Sequence, residues 1–174
     1  MGFTLMEVLV TVVILSIGLL GVAGLQMSSL RGNQTAMEAS LAVSLLMEGA
    51  DRVRANRPGV RNPNTGRATG DAYDYISAPG TDPGCISSGC SVAQIAQTDA
   101  FQWVSKIQQQ LPSGVGVICR DSTPSDGLGG SDTVAWNDEC DIDRTADIFA
   151  VKVAWDHDRD STTPFLVYRM SLVP

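Results

Sequence analysis

The chain has 174 residues, 44% of them hydrophobic and 18% charged, with a formal charge of −7. That length suits one ordinary domain with an added element, and the acidic balance argues against phosphate-backbone binding by the whole chain. A single histidine, His157, excludes zinc sites built on two or more histidines, and neither a Walker loop nor G-x-S-x-G is present.

The hydrophobic content is concentrated at the N-terminus. From Phe3 to Leu25 the only polar side chains are Thr4, Glu7, Thr11 and Ser16. As a helix this stretch spans about 35 Å, enough for a bilayer core of ~30 Å. A secretory signal has a shorter apolar run behind a basic region, and no basic region precedes this one. Helical spacing continues through Met27, Leu30, Met37, Leu41, Leu45, Ala50 and Val53, and no proline precedes Pro58. One helix from Phe3 to Asn56 is therefore expected, roughly 80 Å long, membrane-like over 3–26 and amphipathic over 27–57. Glu7 is the anomaly, since an ionised carboxylate at a bilayer centre costs about 2.5–3.5 kcal/mol. Either it reaches interfacial water near the positive end of the helix, or it meets a cation supplied later.

The string Gly2-Phe3-Thr4-Leu5-Met6-Glu7-Val8-Leu9-Val10 resembles the processing and assembly signature of type IV pilins and pseudopilins. The resemblance implies that a prepilin peptidase/N-methyltransferase cuts after Gly2 and methylates Phe3. It also implies that Glu7 recruits the subunit to a filament. The α-ammonium created at Phe3 keeps its charge on methylation and is the cation Glu7 lacks. Ile17-Gly18-Leu19-Leu20-Gly21-Val22-Ala23-Gly24-Leu25-Gln26 is similar to the membrane helix of PilV-type minor pilins. Gly18, Gly21 and Gly24 either loosen the helix or admit close helix packing. Family leaders carry basic residues before the glycine, whereas only Met1 precedes Gly2 here, so residues 1–2 are read as a leader remnant. Myristoylation is disfavoured by Met6, which stands where Ser or Thr is needed.

Charge divides along the chain: residues 1–69 carry net +2 and residues 70–174 net −9. Arg52, Arg54, Arg57, Arg61 and Arg67 cluster where the first helix should end. There they complement its dipole or meet an acidic neighbouring subunit. Residues 58–91 form a Pro-, Gly- and Asn-rich connection. Ser91 and Gln94 form a capping box for a second helix over Val92–Leu111, with Val92, Ile95, Ala96, Trp103, Val104, Ile107 and Leu111 as its apolar stripe and Pro112 and Gly114 as its stop. Strands are expected at Val115–Arg120, Ile148–Trp155 and Phe165–Val173, more weakly at Thr133–Trp136, with Asp156–Thr163 closing a hairpin.

The four cysteines, Cys85, Cys90, Cys119 and Cys140, allow three pairings. Locality favours Cys85–Cys90 and Cys119–Cys140, and the separation of the last two disfavours zinc. Asp156, Asp158 and Asp160 form D-x-D-x-D, the start of a calcium loop or simply a polar hairpin. Ser161 and Val167 stand where an EF-hand needs Gly and Glu. No nucleophile–base–orienter set is legible, so neither an enzyme nor a cofactor is expected.

The fold class expected is α+β, a pilin fold. A long N-terminal helix packs on a C-terminal antiparallel sheet of three or four strands, with a short second helix and a head over 58–174. The resemblance implies an accessory subunit of a type IV pilus, supporting assembly initiation, adhesion and twitching motility. It would reside in a bacterial inner membrane with its head in the periplasm, then in a surface pilus. Implied partners are other minor and major pilins, the inner-membrane assembly platform and membrane lipid, without nucleic acid. The alternatives are a type II secretion pseudopilin and a non-polymerising membrane-anchored binding protein, in one version calcium-binding.

Overall fold

The computed structural model describes residues 4–60, 72–85, 89–124, 140, 147–160 and 165–173. Two compact units divide the chain, Met1–Met37 and Glu38–Pro174. Helix α1 (Leu5–Ala55) begins in the first and ends in the second. The Thr4 hydroxyl oxygen accepts the Glu7 amide at 3.3 Å, capping the first turn.

In the first unit every described residue from Thr4 to Gln34 is exposed, including Leu5, Ile14, Leu19, Leu20 and Leu25. The helix is long and apolar enough to cross a membrane. Met27, Leu30 and Met37, expected on the amphipathic stripe, are exposed as well. The stripe that packs into the core starts only with Ala39 and Leu41, which are partly buried, and continues through Ala42, Leu45, Leu46, Ala50 and Val53. Periodicity marked a continuous face, but only its C-terminal portion has a core to meet.

In the second unit, α1 is followed by a four-residue helix α2 (Arg57–Val60) that the sequence did not suggest. Proline near the start of a helix loses no intrahelical bond, so Pro58 marked a restart rather than a stop. Helix α3 (Val92–Gln110) carries the expected capping box on Ser91 and Gln94, and Leu111 is its C-cap. Ala96, Ala100, Trp103, Val104 and Ile107 face the core, whereas Ile95, placed on the stripe by spacing, is exposed.

The sheet is antiparallel, in the order β1 (Tyr75–Ile76), β2 (Val115–Arg120), β3 (Phe149–Trp155), β4 (Leu166–Leu172). The last three lie within a residue of the expected strands at either end. The two-residue β1 comes from the connection read as irregular; a run that short leaves no alternation to detect. The weaker strand expected at Thr133–Trp136 lies outside the described residues.

One sheet face, with Ile118, Phe149, Val151, Val153, Trp155 and Leu172, joins the α1 and α3 residues in a single core. Trp155 and Tyr168 meet edge to face, ring centroids 5.2 Å apart. The opposite face is also buried at Val117, Cys119, Ala150 and Lys152. All of β3 is consequently buried, on both faces.

Two glycines let these layers close. A Cβ at Gly49 would lie 2.8 Å from Trp103 Cε2, and one at Gly116 would lie 2.9 Å from Trp103 Cη2. The indole fills the space both leave, and its Nε1 donates to the Leu45 carbonyl at 2.8 Å.

Candidate functional site

The N-terminal segment is the first candidate. Gly2 and Phe3, the residues of the expected cleavage, lie outside the described residues. Glu7 is exposed in the first turn of α1, where its carboxylate meets the positive end of the helix dipole. It is the sole acid of α1 before Glu38, and the next charged residue along the helix is Arg31. No Cβ at Gly18, Gly21 or Gly24 would meet another atom. The segment thus offers an apolar cylinder with one carboxylate at its tip, able to enter lipid or pack against other apolar helices.

The end of α1 carries a polar network. Arg52 Nη1 donates to Asp99 Oδ1 at 2.9 Å and to Gln102 Oε1 at 3.1 Å, and its Nη2 donates to Glu48 Oε1 at 2.9 Å. Lys106 Nζ reaches Glu48 Oε2 at 2.6 Å. Tyr73 donates its hydroxyl proton to Asp99 and accepts from Asn56 Nδ2, which also donates to the Val92 carbonyl at 3.0 Å. Burial alone would raise the pKa of Glu48, but hydrogen bonds and charge from Lys106 and Arg52 outweigh it and hold the pKa below its ordinary value. Burial and the Asp99 carboxylate push the Tyr73 hydroxyl well above the ordinary phenol range, so it remains a donor. Arg52, one of the clustered arginines, thus docks α1 on α3, while Arg54 pairs along the helix with Asp51 at 3.0 Å. Arg61 and Arg67 lie outside the described residues.

Cys85 is bonded to Cys90 and Cys119 to Cys140. Asp156 Oδ1 accepts the Arg159 amide at 2.7 Å and Asp158 Oδ1 accepts the Asp160 amide at 3.1 Å. These carboxylates hold the turn after β3, in which Arg159 takes a left-handed φ of 58°. Among the described residues, the one trio of possible metal ligands whose atoms gather within 4.8 Å is Cys119, Asp121 and Cys140. Both sulfurs are spent in the bridge, so the trio supplies no thiolate. His157 Nε2 lies 3.8 Å from Asp158 Oδ2, at the edge of ion-pair distance.

Two features of the second unit escaped the sequence reading. Lys152 Nζ and Asp121 Oδ2 form a fully buried ion pair at 2.8 Å. The alternation of β3 put Lys152 opposite the core face, but nothing signalled that this face is buried too. Arg169 stands directly across from Lys152 on β4, and its Nη1 is buried with no hydrogen-bond partner. Comparison with protein-family models, with curated proteins and with solved structures finds no match.

Proposed function

We propose that this chain is a minor pilin, an accessory structural subunit of a type IV pilus that waits in the inner membrane with its head in the periplasm. The observation that carries this reading is the exposed apolar helix from Thr4 to Gln34 with Glu7 as its lone acid. Such a surface requires lipid or other apolar helices around it, because so large an apolar area in water is unfavourable. The Gly2-Phe3 junction and the place of Glu7 five residues into the mature chain add the means of passing from one environment to the other. Cleavage exposes an α-ammonium, and within a packed bundle of helices that cation neutralises Glu7. The two disulfides agree with a head in an oxidising compartment.

The test follows the chain, expressed in a host that makes type IV pili, into membrane and sheared-fibre fractions. N-methyl-Phe3 at the N-terminus of fibre-associated protein is expected by mass spectrometry, and Gly2→Val should abolish it. Glu7→Gln should leave membrane insertion intact and deplete the fibre fraction. A wild-type ratio of the two fractions would overturn the role given to Glu7.

A further inference from the structure

We propose that the edge of β4 that no described strand covers accepts an extended segment of a partner protein, which adds a fifth strand and places a carboxylate on Arg169. The inference concerns the second unit alone and does not rest on the filament reading.

The sheet order leaves β4 bonded on one side only, to β3, so among the described residues no strand covers its outer side. At seven residues it is as long as β3, whereas the opposite edge strand, β1, has two. From Leu166 to Met170 its residues are partly buried. An uncovered strand of this length presents a row of main-chain donors and acceptors that another strand can pair with.

Arg169 gives that edge a charge requirement. Across the ladder its neighbour is Lys152, so two cations stand side by side on one face, an unfavourable cross-strand pair. Lys152 is neutralised by Asp121 at 2.8 Å. Among the described residues the guanidinium of Arg169 meets no carboxylate, and Nη1 is withdrawn from water without an acceptor. A charged edge residue that merely discourages association keeps its charge in solvent; this one is half withdrawn and unmet. A carboxylate from an incoming strand would supply both the acceptor and the charge. A second copy pairing through the same edge would bring its own Arg169, and is disfavoured for that reason.

The test uses the full chain in detergent and a fluorescent peptide of about seven residues, matched to β4, with Thr and Val alternating around one central Glu. Saturable binding is expected by anisotropy. The matching Gln peptide should bind about tenfold more weakly, as for loss of a charge-assisted hydrogen bond. N-methylation of alternate peptide amides should abolish binding. Arg169→Gln should bind the Glu and Gln peptides alike, and Arg169→Lys should restore part of the preference. Amide-exchange protection of β3 checks that each variant keeps its sheet. Equal binding of the two peptides to wild type, no saturable binding, or full binding of the N-methylated peptide would each overturn the proposal. So would a concentration-dependent dimer that blocks the peptide and is lost in Arg169→Gln, which would make the occupant a second copy.

Discussion

Gly49 shows how one missing methyl group decides a helix contact. Trp103 is fully buried, and its ring lies where a Cβ on Gly49 would stand. A close-packed interior cannot absorb that overlap without moving the indole and lengthening its bond to the Leu45 carbonyl. Gly49→Ala should therefore destabilise the protein by about 1–3 kcal/mol despite the better helix propensity of alanine, as read by denaturant unfolding in detergent. Lys152 makes a related point about charge. Lys152→Met leaves the Asp121 carboxylate buried without its cation, at a cost of about 3–5 kcal/mol. Adding Asp121→Leu should recover most of that loss in the same measurement. A Lys152→Met variant as stable as wild type would show that the pair is not coupled as described.

Between elements, α1 meets α3 through apolar packing topped by the Glu48–Arg52–Asp99 network. Because Glu48 is held below its ordinary pKa when folded, the folded state favours its ionised form. That stabilisation is complete above the unfolded pKa and is lost as pH falls through the folded one. Unfolding midpoints should thus decline on acidification below about pH 4.5, and Glu48→Gln should flatten that decline. The bridges should differ in weight. Cys119–Cys140 spans 21 residues of sequence and Cys85–Cys90 only 5, so the chain-entropy difference favours the former, worth roughly 3 kcal/mol. Replacing Cys119 and Cys140 together by Ser should lower stability more than replacing Cys85 and Cys90. At this scale the sequence was legible wherever a long pattern repeated. Helix α3 announced itself through Ser91, Gln94 and its stripe, and β3 through its alternating large residues. The hydrogen-bond partners of Arg52 and the closeness of Arg169 to Lys152 were not legible. They depend on register between segments far apart in sequence, which periodicity within one segment does not encode.

For the whole molecule, the decisive contrast is between an N-terminal stretch with exposed apolar side chains and a second unit with a closed core. Leu15→Arg, in the middle of the exposed stretch, should reduce membrane retention, since an arginine at a helix centre costs about 2.5–3.5 kcal/mol to insert. Carbonate extraction of membranes would read this directly. The apolar stretch was plain from composition; where the core begins was not, because helical spacing runs unbroken through Met37 and Leu41 alike. That boundary has a practical consequence. A fragment beginning at Glu38 forfeits no buried side chain of the core, the earliest being Ala42. It drops one acid, Glu7, and one base, Arg31, so its formal charge stays at −7. Its new helix terminus opens on a glutamate, the sign of charge a helix start favours. Such a fragment should dissolve without detergent, sediment as a monomer and unfold in a single cooperative transition, with the apolar stretch discarded and the fold retained.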